Sequence, residues 1–129
     1  MCDFVSPKVK QFKGERVFWK VVSRSSASDV APYLRSGPIQ GIPIKVGRWR
    51  KAERLSPRAH SQFRGERKLE GNFFGFNVFR TREQAEAYRL EFKGQIARVA
   101  AKGGYRDATT DERVPCLLVE WIKILEIFE

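Results

Sequence analysis

Apolar residues fall along this chain in short alternating runs, a period that predicts strands more than helices. RVFWKVVSR, residues 16–24, places Val17, Trp19 and Val21 on one face and Phe18, Lys20 and Val22 on the other. Both faces are largely apolar, so this strand is expected near the middle of a sheet. FFGFNVFR, 73–80, sets Phe74, Phe76 and Val78 against Phe73, Gly75, Asn77 and Phe79 and reads as a second strand. QIARVAAK, 95–102, reads as a third. VPCLLVEWIKILEIF, 114–128, is the longest apolar run; its β-branched and aromatic residues favour a strand, although its leucine spacing also admits a helix. A strand of that length is expected to carry one bulge or bend.

One segment has the helical period. In TREQAEAYRLEF, 81–92, Ala85, Tyr88 and Phe92 form an apolar stripe, while Arg82, Glu83, Glu86 and Arg89 face water. Thr81 with Gln84 three residues on is a capping box, and Gly94 is placed to end the helix.

The remainder lacks a clear period. Residues 1–15 read as an arm or an edge segment, and GGYRDATTDER, 103–113, as a turn-rich loop presenting Tyr105 and Arg106. In 25–45, Pro32, Pro38 and Pro43 with Gly37 and Gly41 leave room only for a short helical turn near Asp29–Leu34, capped by Ser28. Segment 45–68, interrupted by Gly47, Pro57 and Gly65, reads as a largely solvent-facing excursion. Together these elements predict one α+β domain over residues 1–129: a mainly antiparallel sheet of about four strands, with one helix (81–92) packed on it and a long basic excursion (45–68).

Charge changes the picture from fold to partner. The chain has 129 residues and a net charge of +10, and residues 1–72 carry all of that excess, 16 Lys and Arg against six Asp and Glu. The density peaks between Lys45 and Lys68, where Lys45, Arg48, Arg50, Lys51, Arg54, Arg58, Arg64, Arg67 and Lys68 face only Glu53 and Glu66. Charge so concentrated argues for a polyanionic partner. Within it, Arg48-Trp49-Arg50-Lys51 suits nucleic acid, since cations hold phosphates and an indole stacks on an unpaired base. The competing role for Trp49 is to tie the segment to the core. His60, the one histidine, lies in the same segment, where its best use is as a phosphate ligand.

Other chemistry is thinly represented. Cys2, Cys116 and His60 do not make a zinc ligand set, and the glycines fit neither phosphate-loop pattern. The two cysteines are expected as reduced thiols in a cytoplasm, with Cys116 buried. No apolar run reaches the length of a membrane span, and the opening MCDFVSPKVKQFKGER lacks the apolar centre of a secretory signal. Glu120, between Val119 and Trp121, either points out of the pleat or sits beside a cation such as Arg98 or Arg24. Asp107, Asp111 and Glu112 read as a solvated turn.

GFNVFRTREQAEAY, 75–88, with Cys2 and the Trp19-Lys20-Val21 strand, resembles small phage and prophage proteins of unknown function. That resemblance implies a mobile-element origin and a role in interfering with a host nucleic-acid-handling defence complex. The same strand-into-helix pattern is more distantly similar to ADP-ribosyltransferase-like domains. This second resemblance implies an enzyme with Glu120 as the carboxylate and Arg24 and Ser25 at a nicotinamide dinucleotide. The leading expectation is a non-enzymatic, cofactor-free binding protein whose basic segment engages nucleic acid or a nucleoprotein complex. An inhibitor docking its basic face on an acidic protein is the third.

Overall fold

A computed structural model describes residues 2–24, 30–32, 46–52, 73, 75–89, 94–110 and 113–128. Among these the chain is mostly strand with one helix. In order come β1 (Cys2–Val5), β2 (Lys10–Gln11), β3 (Arg16–Arg24), β4 (Val30–Pro32), β5 (Trp49–Lys51), β6 (Phe76–Val78), α1 (Arg82–Arg89), β7 (Gln95–Thr110) and β8 (Pro115–Phe128). The α+β class and the antiparallel sheet stand as expected. The strand count does not: the described residues hold eight strands in one sheet.

The spine of the sheet is the antiparallel pair β7–β8. Along its other edge β7 takes β3 first, then β2 and β1. Residues 2–15 therefore form an edge segment. Along its other edge β8 takes β6 at Leu117–Val119 and β5 at Trp121–Lys123. Just past β6, Phe79 exchanges both backbone hydrogen bonds with Trp19 of β3, the Trp19 N–H donating at 2.9 Å and the Phe79 N–H at 2.7 Å. The circuit β3–β7–β8–β6 thus closes on itself, and the sheet curls around its core.

That core gathers Phe18, Val22, Phe76, Val78, Val99, Leu117, Val119, Ile122 and Ile124. A second cluster, with Val21, Phe79, Ala85, Tyr88 and Ile96, lies where α1 packs against β3 and β7. The capping box forms as expected: the Gln84 N–H donates to Thr81 Oγ1 at 3.1 Å and the Thr81 N–H to Gln84 Oε1 at 3.4 Å. Ala85 and Tyr88 are buried, as the stripe predicts. Phe92 lies outside the described residues.

Three local expectations are corrected. Residues 30–32 of the expected helical turn are the strand β4, on the far edge of β3, where Pro32 can be accommodated at the margin of a sheet. Residues 103–110 are not a turn-rich loop but the second half of β7. The ladder shows why. Lys102 faces Trp121 and Tyr105 faces Val119, so Gly103 and Gly104 together oppose Glu120. This is a β-bulge with a left-handed glycine, Gly103 having φ +81°. The extra residue shifts the alternation of β7, so that the side holding Ala97, Val99 and Ala101 before the bulge holds Gly104, Arg106, Ala108 and Thr110 after it, all of them buried. Third, Tyr105 and Arg106 are not displayed on a turn. Tyr105 stacks on Phe12 with ring centroids 4.2 Å apart, and buried Arg106 donates to the Pro7 carbonyl and lies over Phe73.

β8 is a strand with the irregularity its length predicted. Arg98 faces Glu126 and Val99 faces Ile124, leaving Leu125 as the extra residue on that side. Cys116 is buried, as expected of a small hydrophobe.

Candidate functional site

β5 is short, and the chain must turn sharply into it. Gly47, at φ +82° with open space around its α-carbon, supplies the left-handed residue of that turn. Beyond the ladder itself, the Gly47 N–H donates to the Ile124 carbonyl and the Ala52 N–H to the Glu120 carbonyl. Pinned at both ends, Trp49–Lys51 lies in register with Lys123, Ile122 and Trp121. The part of the basic segment that is described is therefore a sheet strand.

Because side chains alternate along a strand, Trp49 and Lys51 share a face with Lys123 and Trp121. β7 extends that face with Ala100 opposite Lys123 and Lys102 opposite Trp121. Two neighbouring cross-strand rows result, Lys102–Trp121–Lys51 and Ala100–Lys123–Trp49. Tryptophan and lysine alternate between them like squares on a board.

The lysines lie over the indoles. Lys102 Nζ is 4.2 Å from the Trp49 ring centroid, and Lys123 Nζ is 5.0 Å from it. Trp121 has Lys102 at 5.3 Å and Lys51 at 5.6 Å. Lys102 is thus shared by both rings. Each contact is worth roughly 0.5–1 kcal/mol at an exposed site. Trp49, Trp121, Lys102 and Lys123 are half-buried, while Lys51, Arg48 and Arg50 are exposed.

The charge on this face is poorly compensated. Lys51 meets Glu120 at 3.8 Å, but among the described residues neither Lys102 nor Lys123 pairs with a carboxylate. Arg48 and Arg50 form no ion pair among the described residues either. The third tryptophan offers a contrast. Arg82 lies 5.5 Å from the Trp19 ring and 4.9 Å from that of Phe128, yet it is also paired with Glu86 at 3.4 Å. That cluster is neutralised and ties α1 to the sheet. Among the described residues, the face around Trp49 stays positive.

The chain matches no known protein family, curated protein or solved structure.

Of the residues expected to bind a polyanion, Arg48, Trp49, Arg50 and Lys51 are described and adjacent. Lys45, Arg54, Arg58, His60, Arg64, Arg67 and Lys68 lie outside the described residues. Arg50 faces Ile122 in the ladder, so it belongs to the alternate side of β5 from Trp49 and Lys51. Trp49 does not simply tie the segment to the core. It is half-buried among cations on the sheet's outer face.

Sequence reasoning missed Lys102, Lys123 and Trp121, because they come from the half of the chain with no net charge. The Trp-x-Lys spacing of Trp121 and Lys123 was a usable signal for one shared face. Only the register with β5 brings that face beside Trp49.

Among the described residues the cation beside Glu120 is Lys51, not Arg98. Glu120 Oε1 accepts the Gly104 N–H at 3.1 Å across the bulge, its side chain is 20% exposed, and Lys51 approaches the other oxygen. The carboxylate steadies the bulge and the end of β5. The Arg24 side chain and Ser25 lie outside the described residues. Asp107 sits on β7, not in a solvated turn, and pairs with Lys10 at 2.8 Å and Arg80 at 3.7 Å. The Lys10 ammonium is held above its ordinary value of 10.5, first by its hydrogen bond to Asp107 and then by that carboxylate's charge. Among the described residues there is no cluster of metal-ligating side chains, and no helix is long and apolar enough to cross a membrane.

Proposed function

We propose that the protein binds a polyanion, nucleic acid foremost, on the sheet face built from Trp49, Trp121, Lys51, Lys102 and Lys123, with Arg48, just before β5, beside it. One observation carries this reading: Lys102 and Lys123 converge on one indole, at 4.2 and 5.0 Å, without a carboxylate among the described residues to balance them. The ring offsets only part of the like charge that two ammoniums bring to it. An anion reaching both removes the rest and releases its own counterions. The strongly basic segment that continues from β5 adds cations in sequence to the same strand, which favours an extended ligand over a small anion.

The test is fluorescence anisotropy of labelled oligonucleotides at low salt. Saturable binding that weakens steeply with added salt, and weakens again in Arg48→Ala and in Lys102→Gln, supports the reading. No binding at low salt contradicts it. Pull-downs from lysate with and without nuclease distinguish a nucleic acid or nucleoprotein partner from an acidic protein, since only the former is lost to nuclease.

A further inference from the structure

The same face has a feature that charge alone does not explain: two indoles with lysine ammoniums over them, one of those lysines shared. Polyanion binding needs cations and has no use for half-buried aromatic rings among them. Duplex phosphates present no base faces to stack, whereas a single strand presents one at every nucleotide. The lysines over Trp49 and Trp121 are long, flexible and half-buried or exposed, so each can swing aside at the cost of a weak cation–π contact. A base stacking on the uncovered indole regains more than that, and the displaced ammonium is left within reach of the adjoining phosphate.

Resting on the polyanion reading of this face, we infer that its occupant is single-stranded nucleic acid, whose unpaired bases replace lysine ammoniums on Trp49 and Trp121. Lys102, between the two rings, takes the phosphate linking two stacked nucleotides. Lys123 and Lys51 take the phosphates on either side.

The experiment compares three probes on the full chain: a short oligothymidine, a duplex of equal length, and inorganic polyphosphate of similar charge. Intrinsic tryptophan fluorescence is followed in each titration. The expected result is single-strand binding roughly tenfold or more tighter than duplex or polyphosphate, with quenching only by the single strand. Trp49→Phe and Trp121→Phe should each remove part of the quenching and keep most of the affinity. Trp49→Leu, checked for an unchanged thermal transition, should lose roughly tenfold. Equal affinity for all three probes without quenching overturns the stacking inference and leaves polyanion binding intact. Tighter duplex binding also overturns it. Failure of all three to bind overturns both readings.

Discussion

Lys102 lies directly across the ladder from Trp121, yet its ammonium stands nearer to Trp49, two strands away, at 4.2 Å against 5.3 Å. The side chain reaches diagonally over the sheet and joins β5 to β7 through a ring and a charge. In this geometry Lys102 is the residue on which the positive face converges.

Lys102→Gln should therefore weaken binding and leave the protein folded. Losing its two ring contacts is expected to destabilise the fold by about 1–2 kcal/mol at most. Oligonucleotide affinity should fall several-fold at low salt. Chemical denaturation and anisotropy on the same preparation compare the two effects.

The bulge that sets the register of this face has its own prediction. A β-carbon at Gly103 would sit 2.7 Å from Glu120 Oε1 and 3.0 Å from Trp121 Cδ1, on a backbone at φ +81°. Gly103→Ala should destabilise by about 1–2 kcal/mol from the left-handed backbone alone. It should also displace Trp121 and weaken oligonucleotide binding. Gly47→Ala is the control, since Gly47 has the same backbone hand (φ +82°) and nothing within 4 Å of its β-carbon. It should show the backbone cost and leave Trp121 fluorescence unchanged.

Closure of the curled sheet runs through Phe79, which is fully buried, packs at a tilt against Tyr88 and carries the backbone hydrogen bonds to Trp19. Phe79→Ala should cost about 3–5 kcal/mol by leaving a cavity. Thr81→Ala, two residues on, removes only the helix cap and should cost about 1 kcal/mol. Urea unfolding midpoints rank the two, and the reverse order would contradict the burial of Phe79 between β3 and α1.

The Lys10–Asp107 pair ties the edge strand β2 to β7 and gives a pH signature. Because the folded protein holds the lysine above 10.5, its contribution is fully present below that value and is lost as pH rises through the raised one. Wild type and Lys10→Gln should differ in denaturation midpoint near neutrality. They should converge in strongly alkaline solution. A constant difference at all pH values would show that the lysine's charge is not what matters.

The alternating runs at 16–24 and 114–128, the centre of 73–80 (β6, Phe76–Val78) and the capping box at Thr81 were legible because local chemistry alone decides them. Gly103–Thr110 was not. Two adjacent glycines carry the signature of a turn, and only pairing with Glu120 across the ladder turns them into a bulge within a strand. The same limit applies to the site. Arg48-Trp49-Arg50-Lys51 stood out as a charge cluster, but Lys102 and Lys123 lie 50 or more residues further along a segment of no net charge. They join Trp49 only through strand register, which a hydrophobic pattern does not specify between distant strands. Glu120 was legible as a carboxylate in an apolar run, and its partner was not, since Lys51 comes from β5.

The most direct measurement is the salt dependence of single-stranded oligonucleotide binding, wild type against the Lys102→Gln/Lys123→Gln double variant. A contact to one phosphate contributes roughly 0.7 to the slope of log affinity against log salt for single strands. The double variant is predicted to fold normally and to have a slope shallower by about 1.4. An unchanged slope, with affinity preserved, would contradict the placement of the anion on the Trp49 face.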